Sequence, residues 1–106
     1  MSLDVYLIGG NGECYSANIT HNLGAMASEA GIYELLWRPD EIGVTTAAEL
    51  IDPLRAGLHR LVERPTHFEQ FNAPNGWGLY KNFVPFVAKY LEACVANPGA
   101  KVEVSR

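Results

Sequence analysis

Only two of the 106 residues are cysteine, Cys14 and Cys94. They lie far apart and outside any Cys-x-x-Cys spacing, so neither a disulfide framework nor a zinc site is expected. A reduced, cytosolic setting is the simpler reading. Charged residues make up 19% of the chain and the net charge is −4. There is no basic run, which argues against a nucleic-acid polymer as partner. No apolar stretch approaches the roughly 18–20 residues of a membrane span. The opening Met1-Ser2-Leu3-Asp4 lacks the basic start of a secretory leader. Asn18-Ile19-Thr20 matches a glycosylation acceptor, but nothing ahead of it marks secretion. Internal repeats and low-complexity segments are also missing.

The usual catalytic signatures are lacking too. Gly9, Gly10 and Gly12 do not follow a dinucleotide fingerprint, and no Lys-Ser/Thr pair completes a P-loop. No nucleophile elbow is present. His21, His59 and His67 stand among scattered acids with no ligand spacing, so no metal is expected. No carboxylate pair suggests glycoside chemistry. The expectation is a protein without a cofactor and without turnover, with a small enzyme of unknown reaction as a further alternative.

What is present is globular composition, 48% apolar. A chain of this length buries roughly 60–70% of its unfolded surface, enough for one core without staples. One domain spanning residues 1–106 follows. Leu3 to Ile8 alternates, with Leu3, Val5 and Leu7 on one side. Gly9-Gly10-Asn11-Gly12 predicts a hairpin, and Glu13 to Ala17 would return. A phosphate-cradling loop is the minor alternative there.

Leu23, Met26, Ala27 and Ala30 recur at helical spacing, with Thr20 or Asn22 as cap. Gly31 should break this helix, and Ile32 to Trp37 should resume it until Arg38-Pro39. Thr46-Ala-Ala-Glu49 is a capping box that starts a helix near Ala47. Its apolar face is Leu50, Ile51, Leu54, Leu58, Leu61 and Val62, with Arg55, His59, Arg60 and Glu63 solvated. Pro53 implies either a kink or a later start at Asp52. Thr66 to Phe71 gives a short helical segment. Leu79 to Ala96 gives the last long helix, with Phe83, Val84, Val87, Tyr90, Leu91, Cys94 and Val95 inward and Pro85 near its start. Asn97-Pro98-Gly99 stops it. Lys101 to Ser105 alternates as a final strand. The fold class is therefore α+β: a small antiparallel sheet of N-terminal hairpin plus C-terminal strand, with three to four helices on one face. Such a sheet has two free edges, so a homodimer or higher homo-oligomer through edge pairing is expected.

Between the last two helical segments lies Asn72-Ala-Pro-Asn-Gly-Trp-Gly-Leu-Tyr80. Pro74 and Asn75-Gly76 are turn residues, yet Trp77 sits among them. Gly on both sides of Trp77 would let a flat ligand or another backbone approach. The competing reading is that Trp77 and Tyr80 close the core beneath the loop. Polar and aromatic residues at loops and helix ends form the candidate ligand set: His21, Asn22, Arg38, Asn75, Trp77, Tyr80 and Arg106. Aromatic faces suit a base, Arg or a helix N-terminus suits a phosphate, and Asn matches base edges. The bland alternatives are a cap for Asn22, a surface residue for His21, a helix-exit cation for Arg38 and a frayed tail for Arg106. The set favours a small phosphorylated or nucleotide-like ligand. A protein partner gripped by the Trp77 loop is the competing class.

The segments Asn18–Leu23, Ala30–Tyr33, Leu36–Pro39, Asn75–Gly78, Tyr90–Cys94 and Val104–Arg106 carry a resemblance over nearly the whole chain. It resembles a family of small bacteriophage and prophage proteins with no assigned activity. The resemblance implies a phage-related origin and a place in the cytoplasm of a bacterial host. From that context comes one functional expectation: a sponge that sequesters a nucleotide-derived immune signal, acting against host defence.

Overall fold

The computed structural model describes residues 2–106. Two strands open the chain, β1 (Ser2–Gly9) and β2 (Gly12–Thr20), and β3 (Lys101–Ser105) closes it. The strand order is β2-β1-β3, antiparallel throughout. Alternation decides which side is covered. Leu3, Val5 and Leu7 are fully buried, while Asp4, Tyr6 and Ile8 are half-buried. Tyr15, Ala17 and Ile19 pair with Leu7, Val5 and Leu3 on the covered side. Val102 and Val104 join them from β3. The fold is thus α+β, with hairpin and C-terminal strand as the sequence predicts.

Gly10 and Asn11 turn the hairpin, and Gly12 takes φ +109°. The register slips between Leu7 and Ile8, which leaves Cys14 as an extra residue on β2. Its thiol donates to the Leu7 carbonyl at 3.3 Å. The return strand is longer than the alternation alone suggested. It runs to Thr20, whose side chain then accepts from Asn22 N at 3.3 Å and opens a short 3-10 turn over His21–Leu23.

Five helices follow: α1 (Gly24–Glu29), α2 (Tyr33–Trp37), α3 (Ala48–Glu63), α4 (Pro65–Glu69) and α5 (Tyr80–Ala96). Gly31, at φ +77°, separates α1 from α2. Arg60 is not simply solvated: its Nε donates to the Ala30 carbonyl at 2.8 Å and so caps the end of α1. Glu49 holds the start of α3, accepting from Thr45 N at 2.8 Å and Thr46 N at 2.7 Å. Those two amides pull its pKa down to about 2. The next free amides, Ala47 N and Ala48 N, donate to the Ala100 and Pro98 carbonyls. α3 continues unbroken through Pro53, whose missing N–H affects only a first-turn carbonyl.

The core is one contiguous cluster. Leu50, Leu54 and Leu61 of α3 meet Phe83, Phe86, Val87, Tyr90 and Cys94 of α5 beneath the sheet. Two ends of the predicted faces rotate outward: Val62 and Val95 are exposed, and Phe86 is buried in their place. Gly57 is buried because Ile32 lies against it; a Cβ there would come within 2.3 Å of Ile32 Cγ2. Burial pushes the Cys94 thiol up to about 11, so it behaves as a small apolar core residue. No helix among the described residues is long and apolar enough to cross a membrane.

Candidate functional site

A groove of about 970 Å³ runs between β2 and α5. Tyr15, Ala17 and Ile19 of β2 form one wall, and Asn82, Pro85, Phe86 and Lys89 of α5 the other. Asn22 and Leu23 close one end, and Gly76, Trp77 and Gly78 overhang it. Ser2, Asn18 and Thr20 complete the rim. Its floor is apolar and aromatic, and its rim carries amides, hydroxyls and one cation. Among the described residues no acidic side chain lines it.

The overhanging loop is held by its own backbone. Ala73 N donates to Gly78 O, Gly76 N to Ala73 O, and Trp77 N to Asn75 Oδ1 at 3.0 Å. Asn72 Oδ1 accepts from Tyr80 N at 2.7 Å and caps α5. Asn22 then staples the loop to the 3-10 turn, donating from Nδ2 to the Trp77 carbonyl at 2.9 Å. This approach needs glycine at 78. Gly78 has φ +114°, and a Cβ there would lie 2.9 Å from Asn22 Cβ. The peptide on the C-terminal side of Trp77 is therefore pinned while its ring is left outside, 69% exposed.

Behind the wall residues Tyr15 and Phe86 stands Tyr90. Tyr15 and Tyr90 stack with centroids 6.0 Å apart, and Phe86 lies 6.1 Å from Tyr90. The Tyr90 hydroxyl is buried without a hydrogen-bond partner, and burial raises its pKa. Burial also raises that of Tyr15. Lys89 has no carboxylate within salt-bridge distance among the described residues.

Of the seven residues singled out from the sequence, Asn22 and Trp77 line this groove. Asn75 shapes its loop without lining it. Tyr80 turns away, and its hydroxyl donates to the Leu61 carbonyl at 2.6 Å, tying α5 to α3. The other three meet elsewhere, around Trp37. The buried Trp37 Nε1–H donates to His21 Nδ1 at 2.8 Å, so the neutral His21 ring carries its proton on Nε2. Tyr33 stacks on Trp37 at 5.2 Å. Arg106 donates to the Trp37 carbonyl and to Asp40 Oδ1, both at 3.0 Å. Its hydrogen bonding holds Asp40 below the usual carboxylate range. Arg38 pairs with Glu41 at 2.8 Å, and that hydrogen bond raises the Arg38 pKa further.

The sequence set therefore divides into a groove edge and an arginine corner. Both guanidinium groups of the corner already have carboxylate partners, and neither lines the groove. Sequence reasoning missed Tyr15, Asn18, Asn82, Phe86 and Lys89. Two signals pointed to them. Asn82, Phe86 and Lys89 recur at i, i+4 and i+7, one stripe of a helix. Residues 14–28 and 70–80 contain no Asp, Glu, Lys or Arg, and both neutral runs border the groove.

His67 sits against Glu29 at 2.7 Å, and His59 against Glu63. No group of three or more His, Cys, Asp or Glu suited to a metal ion occurs among the described residues. No protein family, curated protein or solved structure matches the chain.

Proposed function

We propose that the chain is a non-catalytic binding protein and that its groove takes a nucleotide-like ligand of low charge. The observation that carries this is the pairing of an open Trp77 ring with one carboxylate-free cation, Lys89, across an acid-free groove. A flat heterocycle stacks on Trp77 or Tyr15. Asn22 and Asn82 supply donors and acceptors for its edge, while the Asn18 amide donates to Asp4 Oδ1 at 2.7 Å on the other face of the sheet. A single phosphate meets Lys89. One cation in a protein of net charge −4 favours a monophosphate or a cyclic nucleotide over a triphosphate.

The resemblance to small phage proteins extends the proposal to biology. The protein acts in the bacterial cytoplasm as a sponge that holds a nucleotide-derived defence signal away from its receptor. A second reading rests on the same exposed Trp77: an aromatic anchor on a pinned loop also suits a protein partner.

Thermal unfolding against a panel of mono-, di- and cyclic nucleotides and ADP-ribose derivatives tests both. A ligand at one hundred times its Kd adds about 2.7 kcal/mol, which is roughly 10 °C or more in midpoint for a domain this size. Lys89→Ala is expected to weaken that ligand roughly 10- to 100-fold through the lost charge-assisted bond. Trp77→Ala is expected to abolish the shift while leaving the free protein's midpoint within a few degrees. A flat panel, with a pull-down partner lost on Trp77→Ala, would replace this reading with the second.

A further inference from the structure

The two edges of the sheet are finished differently. At β3, Val102 N donates to the Thr45 carbonyl at 2.9 Å, and Thr46 bridges to Lys101. The segment before α3 therefore covers that edge, and Lys101 and Glu103 place charges along it. No such segment covers β2 among the described residues. Its stretch from Tyr15 to Thr20 has no charge and no proline. The one protective device, the bulge, sits at Cys14 and leaves the rest regular.

The direction of the free backbone groups follows from register. Val102 faces away from β1, so Lys101, Glu103 and Ser105 face it, opposite Ile8, Tyr6 and Asp4. Those β1 residues turn away from β2, which leaves Leu3, Val5 and Leu7 to bond Ile19, Ala17 and Tyr15. Ser16, Asn18 and Thr20 then carry N–H and C=O groups outward, toward the rim of the groove.

We propose that a second copy of this chain pairs antiparallel on the β2 edge, with the two-fold axis at Ala17. In that register Ser16 faces Asn18 of the second copy, and both bring outward backbone groups. Tyr15 faces Ile19 of the second copy on the groove side, and Ala17 faces its own equivalent. Apolar residues thus meet apolar ones beneath, and small polar residues meet polar ones above. No like charges oppose, which matters between two copies that each carry −4. The pairing makes a six-stranded sheet and joins the two open grooves into one chamber walled by both α5 helices. It does not depend on what the groove binds.

Sedimentation velocity and hydrogen exchange on the ligand-free protein test this. The wild type is expected at twice the chain mass, with the Ser16 and Asn18 amides protected. Ser16→Pro is expected to halve the mass, because that amide donates only across the new interface and its loss leaves the β1 pairing intact. A single-chain mass at every concentration reached would overturn the proposal. So would a dimer whose Ser16 and Asn18 amides exchange as freely as a loop, since its interface would lie elsewhere. The exchange measurement needs no variant, so a misfolded Ser16→Pro protein would not blunt the test.

Discussion

The groove edge and the arginine corner are built from the same kinds of residue, and they lie next to each other in the chain. His21 belongs to the corner and Asn22 to the groove. Trp37 is 3% exposed and Trp77 is 69% exposed. In the corner every strong polar group has a partner: His21 with Trp37, Arg106 with Asp40 and the Trp37 carbonyl, Arg38 with Glu41. At the groove Asn22 is fixed to the loop backbone, Asn18 to Asp4 and Thr20 to the Asn22 amide, and the Trp77 ring and Lys89 face open space. A residue type therefore marks a site only when its bonding capacity is left over, and sequence does not display what is left over.

The largest effect that separates the two regions is expected from Gly78→Ala. The positive φ alone costs about 1–3 kcal/mol, and the new methyl meets Asn22. The Asn22–Trp77 staple opens, so both the thermal midpoint and any ligand shift fall together. Should the midpoint fall while ligand affinity holds, the staple does not shape the groove.

His21→Ala comes next. It leaves the buried Trp37 N–H without an acceptor, at a cost of about 1–3 kcal/mol. Here the midpoint falls and ligand affinity is unchanged. Calorimetry on the variant, with and without the best nucleotide, reads both quantities.

How much of this was legible in the chain depended on the range of the interactions. The sheet was legible because Leu3, Val5, Leu7, Val102 and Val104 alternate, and because Gly10-Asn11 turns a hairpin by local chemistry. Gly31, the Thr46–Glu49 box and the Cys94 core position were equally local. The partners of Arg38 and Arg106 were not. Asp40 lies 66 residues from Arg106, and only the folded sheet brings the C-terminus beside α2. Tyr80 was drawn to the loop by its neighbours, yet its hydroxyl answers to Leu61 on another helix. The outward turn of Val62 and Val95 has the same origin, since the tilt of a helix against its neighbours sets where its apolar stripe ends. Lys89 was readable as part of a helical stripe, but nothing local said that the stripe faced a groove.

Acid sharpens the comparison further. Asp40 and Glu49 both have lowered folded-state pKa values, Glu49 from 4.5 to about 2. Their stabilisation is present above the unfolded pKa values and is lost as pH falls through the folded ones. Stability is therefore expected to decline from about pH 4.5 toward 2, while the acid-free groove keeps its own side chains unchanged. Urea midpoints across that range check the slope. Replacing Glu49 by Gln should remove part of it.

The smallest effect is expected from Arg38→Ala. Its pair with Glu41 is exposed and screened, so stability barely changes. Ligand affinity should not change either, because Arg38 lies outside the groove. A clear loss of nucleotide binding in this variant would place the ligand at the corner and undo the division drawn between the two regions.

The two tryptophans also give the molecule a pair of spectroscopic reporters. Trp37, packed on Tyr33 and bonded to His21, should emit in the blue and stay silent to added quenchers until the chain unfolds. Trp77, open to water, should supply the red edge of the spectrum and the quenchable fraction. A ring that stacks on Trp77 would darken only the red component, and titrating that edge would give a binding isotherm without any label.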